Sequence, residues 1–322
     1  MVVDAFTDLL HELVVRDHDA LQLVLRCGSD RLFERYWLPR LEAGGVGVQL
    51  CPLDGASPPR GTVRERALAQ AIEFERLVRD NAERVCHVRS RAELDDPRLR
   101  LVLTMEGVTP LEGDPGGFDE WYERGVRVAT LTWNHANEFA GGIATPEQGL
   151  TARGRALVRR FGELGVVLDL AHASERTWRD VLEEDVAVSV THAGCRAVHD
   201  HPRNLADWQL EALRERGGVL GVMGLALAVG PGATLSRFVD HVEHAVSVMG
   251  IEHVGFGGDF VDRLSRDEKD VAGKALLGVV GFAGPDDYPA LVEELRRRGC
   301  GAERLAALTS GNWLRILRAA LG

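Results

Sequence analysis

Hydrophobic and polar positions divide this chain into eight short apolar runs separated by longer amphipathic stretches. The runs begin at Val2 (VVDAF), Val46 (VGVQLCPL), Leu99 (LRLVLTMEG) and Val126 (VRVATLTW), then at Val166 (VVLDLAHA), Val186 (VAVSVTHA), Val219 (VLGVMGL) and His253 (HVGFGGDF). Most are continuously apolar rather than alternating, as strands covered on both faces are. Helical patterns fill most gaps, among them RLFERYWLPRLEAG, VRERALAQAIEFERLVRD, TARGRALVRRFGELG, ADWQLEALRERGG and SRFVDHVEHAVSVMG. Several stop at Gly after charged residues. Eight strands alternating with helices predict an α/β fold, a closed (β/α)8 TIM barrel forming a single domain over residues 1–322. A doubly wound sheet is the alternative. The stretches PALVEELRRRG and AERLAALTSGNWLRILRAAL read as closing helices. Two segments read as loops beside strand ends: DGASPPRG, and roughly residues 263 to 286.

The ends of the runs carry the candidate chemistry. Two runs stop on a histidine, His172 and His192, with the helix-like ERTWRDVLEED between them. Strand, crossover helix and parallel strand make a βαβ unit, so both imidazoles lie at carboxyl ends of neighbouring strands. Two imidazoles there suit one divalent ion. Polar residues end other runs too: Asp8, Glu106, Trp133 to His135, and Asp259. Acids and histidines together form a nitrogen and oxygen ligand set that suits zinc or a similar ion. A bound ion makes hydroxide available near neutral pH, and Asp259 is placed to shuttle the proton to a leaving amine. Arg203, in HPRNL, has the planar fork to grip a substrate carboxylate, with a structural salt bridge as the bland alternative. His199, His201, His241, His244 and His253 read as structural hydrogen-bonders.

Composition narrows the function classes. A net charge of −11 argues against nucleic acid or an anionic membrane as partner. No apolar run approaches the ~20 residues needed to span a bilayer, and MVVDAFTDLL has no basic region ahead of an apolar one, so no signal peptide is expected. The five cysteines are odd in number, scattered and free of CxxC spacing, which points to a reduced, cytoplasmic home. Cys195, close to His192, reads as a small buried filler rather than a nucleophile.

The chain resembles the zinc-dependent membrane (renal) dipeptidases of the amidohydrolase superfamily. The resemblance is carried by DAFTD, TMEG, GVRVATLTWNHANEFAGG, GLTARGR, LGVVLDLAHAS, THAGCRAVHDHPRNL, GFGGDF and SGNWLRIL, in family order along almost the whole chain. It implies a (β/α)8 barrel with two metals that hydrolyses the amide of a dipeptide or similar small substrate bearing a free carboxylate. By the same resemblance Glu106 is the bridging ligand, His172 and His192 serve the second metal, Arg203 grips the carboxylate and Asp259 shuttles the proton. Dimers are common among similar proteins, so a homodimer is allowed for.

Two departures from the family pattern stand out. The first-strand His-x-Asp pair is here Phe6-Thr7-Asp8, which leaves Asp8 as the remaining first-metal ligand. The histidine of the fourth-strand LTH motif is here Trp133, with His135 as a candidate substitute at the substrate. His11 is set aside as a replacement ligand. Glu106, His172 and His192 still give three ligands and an open position, so one ion is expected tight and the second weak or absent. The alternative is a diverged homologue, with one metal or none, that serves a different reaction or only binds a ligand.

Overall fold

The computed structural model describes residues 1–14, 31–54, 62–260 and 278–321. Eight parallel strands close into a barrel: β1 (Val2–Asp4), β2 (Val46–Asp54), β3 (Leu99–Glu106), β4 (Val128–Thr130), β5 (Val167–Asp169), β6 (Val188–Cys195), β7 (Leu220–Met223) and β8 (Val254–Gly257). Pairing runs from β2 through β1, β8, β7, β6, β5 and β4 to β3, and β3 returns to β2 over seven residue pairs from Val48↔Arg100 to Asp54↔Glu106. That return removes the sheet edges and rules out the doubly wound alternative. Each of the eight apolar runs supplies one strand. Two short strands, Val85–His87 and Asn204–Leu205, pair beside β3 and β6.

Alternation along the strands sorts side chains between two layers. Val48, Leu50, Val102, Val128 and Val167 share one cluster with Trp313, Ile316 and Leu317 of the helix Asn312–Ala320. The C-terminal helix thus closes this end of the molecule, as SGNWLRIL led us to expect. Residues of opposite parity, such as Cys51, Leu53, Leu101, Leu103 and Leu168, pack with the surrounding helices. Among those helices are Val63–Asp80, Ala152–Leu164, Glu175–Val181, Asp207–Glu215 and Leu235–Met249. The first starts at a capping box, in which the Thr62 hydroxyl accepts from the Glu65 amide at 3.1 Å and the Glu65 carboxylate from the Thr62 amide at 2.7 Å. At Gly257 in β8 a Cβ would collide with the Thr191 carbonyl oxygen of β6, so only glycine lets these strands approach.

No helix among the described residues is long and apolar enough to cross a membrane. Most of DGASPPRG, and the 263-to-286 loop before Gly278, lie outside the described residues.

Candidate metal centre and active site

The continuity of β3 places Glu106 at the strand's carboxyl end, buried, beside Asp54 of β2. The βαβ unit predicted between His172 and His192 is present. Leu168 pairs with Val188 and Asp169 with Ser189, and the connecting helix starts at Ser174, whose hydroxyl accepts from the Thr177 amide at 3.0 Å. His172 follows β5 in a turn with φ +61°, a left-handed conformation uncommon for a residue with a Cβ. The Ile143 amide holds its carbonyl at 2.9 Å. His192 lies within β6 itself.

These three side chains converge. His172 Nε2 lies 3.0 Å from Glu106 Oε1, His192 Nε2 lies 3.4 Å from the same oxygen, and the two Nε2 atoms are 3.0 Å apart. The other ring nitrogens are already engaged. His172 Nδ1 donates to Asn134 Oδ1 at 2.8 Å, and His192 Nδ1 donates to the Thr191 hydroxyl oxygen at 2.9 Å. The Thr191 hydroxyl in turn donates to Asp169 Oδ2. With each ring proton on Nδ1, both Nε2 lone pairs face each other and the Glu106 carboxylate. Burial, then the Arg203 charge, holds both imidazoles well below the usual histidine range and therefore neutral. Burial, reinforced by Asp8, Asp259 and Asp54 and opposed by Arg203, pushes the Glu106 carboxyl well up. Two imidazole nitrogens and one carboxylate, all buried and converging, have the composition of a three-ligand zinc site. Among the described residues this is the one such cluster of three or more.

Asp8 is close enough for its charge to act on Glu106, yet it stands outside that tight cluster. Phe6, at 3% exposure, lays its ring over His192 with centroids 3.7 Å apart and planes 32° apart. Apolar surface therefore covers one side of the centre, where the resemblance expects a histidine. His11 does not fill the gap: its Nδ1 lies 2.8 Å from Asp54 Oδ2, which Arg66 also holds at 2.6 Å.

Arg203 is buried, and its guanidinium donates to the His192 carbonyl at 3.2 Å and reaches Met223 Sδ at 4.0 Å. No carboxylate among the described residues lies within ion-pair distance of it, so the salt-bridge alternative is not what the structure shows. Asp259, Glu106 and Asp169 act on it only through their field. Asp259 is buried with φ +49°. Trp133 is half-buried, its ring 6.1 Å from that of His172. His135 is exposed, while Asn134 between them is the buried member that reaches the centre. A cavity of about 470 Å³ opens beside His172 and Arg203, walled by Ile143, Leu170, Pro202 and Leu205.

Sequence reasoning passed over Asn134, Thr191 and Asp169. Asp169 Oδ1 accepts the amides of Ala171 at 2.9 Å and Thr191 at 3.0 Å, so one buried acid ties the ends of β5 and β6 together. An acid inside the apolar run VVLDLAHA was the signal that could have found it. Two histidines away from the centre hold the backbone: His241 Nδ1 accepts the Cys195 amide at 2.9 Å, and His253 donates to the Gly218 carbonyl at 2.8 Å. Burial pushes the Cys195 thiol up to about 12, which fits a filler and not a nucleophile.

Comparison with known proteins agrees with this architecture. The family described as membrane dipeptidase (peptidase family M19) matches residues 2–321. An uncharacterized dipeptidase of Schizosaccharomyces pombe is 33% identical over 226 residues, covering 68% of this chain and 52% of that protein. Dipeptidase 3 of Macaca fascicularis is 31% identical over 339 residues, covering 99% of this chain and 65% of that protein. The chain thus spans roughly half to two thirds of these relatives. A Rhodobacter sphaeroides metallo peptidase, solved with a phosphinate mimic of the dipeptide L-Ala-D-Ala, superposes with a TM-score of 0.83 at 23% identity over 99% of both chains. On this evidence the chain belongs to the membrane dipeptidase family, peptidase family M19.

Proposed function

We propose that this protein is a metal-dependent dipeptidase-like hydrolase that cleaves the amide of a dipeptide, or of a similar small substrate with a free carboxylate. The observation that carries the reading is the convergence of Glu106, His172 and His192 beside a buried guanidinium with no ion-pair partner among the described residues. A buried charge is costly unless paired. Arg203 therefore suits a substrate carboxylate, and the neighbouring cavity has room for a dipeptide-sized ligand. Zinc fits the donor set, and Glu106, His172 and His192 would hold it. When bound, such an ion activates water near neutral pH and polarises the scissile carbonyl. In this reading Asp259 carries the proton to the departing amine, while Trp133 and His135 belong to the substrate wall.

The same reading takes the whole chain, residues 1–322, as one barrel domain. It places the protein in the cytoplasm on the strength of its free cysteines. It assigns one tightly held ion, because Phe6 covers the side where a second would need a histidine. The test is zinc content together with a dipeptide panel. A chelator should abolish hydrolysis, and added zinc should restore it. A fully zinc-loaded protein that leaves every dipeptide intact would overturn the reading.

The hydrogen bonds behind the histidines give a second expected result. Thr191→Val keeps the shape but removes the oxygen that accepts from His192 Nδ1 and the hydroxyl bound to Asp169. Zinc affinity should fall roughly 10–100-fold, the usual cost of losing a group that orients a ligand. Competition with a chromophoric chelator measures it. Thr191→Ser should bind zinc like the wild type, and equal affinity in Thr191→Val would remove Thr191 from the site.

A further inference from the structure

The turn that carries Asp259 is fixed from β1. Its φ of +49° is one that a residue with a Cβ keeps only where the surroundings impose it. The Gly258 amide donates to Asp4 Oδ1 at 2.7 Å, and the Asp259 amide donates to the Phe6 carbonyl at 2.9 Å. Beyond them Phe260 bridges Thr7, whose hydroxyl donates to the Phe260 carbonyl at 3.3 Å. Asp4 Oδ1 also takes the Phe6 amide, at 3.4 Å. One carboxylate oxygen therefore joins the β1 segment next to the metal centre to the β8 turn that carries Asp259.

Asp4 is fully buried, close to Tyr288 at the start of the helix Tyr288–Arg297. Gln49 and Tyr288 are the polar side chains facing it. Gln49 spends its amide on the carbonyls of Asp4 and Leu50, at 3.2 and 3.0 Å. Tyr288 is locked among Phe256, Phe260 and Phe282, with ring centroids 6.1, 5.8 and 5.2 Å away. Burial pushes the Asp4 carboxyl up to about 7, against the pull of the Gly258 amide. Keeping an acid in such a place is costly; Oδ1 takes the Gly258 amide of the turn at 2.7 Å and the Phe6 amide at 3.4 Å, and the shorter bond is the one to the turn.

We infer that Asp4 is a positioning residue: its Oδ1 atom holds the Gly258–Asp259 turn so that the Asp259 carboxylate faces Glu106 and Arg203. The inference rests on the proposed proton-shuttling role of Asp259. What the turn uses is an acceptor oxygen, so an amide oxygen serves in place of the carboxylate.

Hydrogen exchange of the 254–260 segment in metal-free protein tests the tether, and kcat and KM of the zinc-loaded protein on a dipeptide test its consequence. In the wild type the Gly258 and Asp259 amides should be protected. Asp4→Ala should speed their exchange roughly 10–100-fold, the cost of leaving a buried amide without its acceptor, and leave β4 and β5 unchanged. Its kcat should fall by about the same factor with KM nearly unchanged, as a misplaced reacting group does. Asp4→Asn should restore both. Wild-type exchange in Asp4→Ala, wild-type kcat despite faster exchange, or an Asp4→Asn as damaged as Asp4→Ala would each overturn the inference. Should Asp4→Ala fail to fold, a wild-type Gly258 amide that exchanges as freely as a loop amide would do the same. A tether that behaves as expected in a protein that cleaves no dipeptide would instead count against the proposed function.

Discussion

Phe6→His should raise tightly bound zinc from about one ion per chain to about two, and dipeptide hydrolysis with it. The Phe6 ring lies 3.7 Å from the His192 ring, at 3% exposure. A phenyl group has no lone pair, so it excludes water from one side of the centre without ligating anything. An imidazole at position 6 would rejoin Asp8, whose charge already reaches Glu106. Without metal the exchange is unfavourable. A buried imidazole lacking a partner costs about 1–3 kcal/mol, so the metal-free variant should melt below the wild type. Zinc should recover that loss, and a second cation beside the developing oxyanion is commonly worth several kcal/mol of transition-state stabilisation. Elemental analysis, melting with and without zinc, and kcat/KM on a dipeptide panel decide the matter. Two ions already tight in the wild type, or a variant that stays at one, would sink the idea.

Eight apolar runs were legible as eight strands because parallel barrel strands are covered on both faces and need little else. Their ends were less legible. The first run predicts a strand as far as Asp8, yet regular pairing stops at Asp4, and Thr7 meets Phe260 in an isolated bridge. His172 and Asp259 lie beyond their strands in left-handed turns, which hydrophobic periodicity does not encode. Glu106, His172 and His192 were readable as a site because their residue types and strand-end positions coincide.

Asn134 was not readable, because its role depends on a neighbour far along the chain. Asn134 lies 38 residues from the histidine it orients. Sequence reasoning favoured its neighbours Trp133 and His135 because rings and imidazoles advertise chemistry, whereas an amide does so only once its partner is in view. His11 carries an imidazole too, but a partner 43 residues away, Asp54, occupies it.

Arg203→Ala should raise KM for free-acid dipeptides by about two to three orders of magnitude, as expected when one partner of a buried charge pair is removed at a cost of about 2–5 kcal/mol. The guanidinium is buried, its close partners among the described residues are the His192 carbonyl and Met223 Sδ, and the cavity of about 470 Å³ lies against it. A fork held this way keeps donors for a planar anion, and a carboxylate fits two of them at once. Zinc content should stay at the wild-type level, because Arg203 touches the His192 backbone and not its ring. Arg203→Lys should be nearly as impaired, since an ammonium is a point charge that cannot reproduce the bidentate geometry. The complementary change is on the substrate: amidating the carboxyl terminus should cost the wild type most of its kcat/KM and cost Arg203→Ala little, so the two changes together fall well short of additive. Equal turnover of free-acid and amidated dipeptides by the wild type would remove Arg203 from carboxylate binding. It would then leave a buried cation that acts on the site through its field on Glu106, His172 and His192 and its bond to the His192 carbonyl.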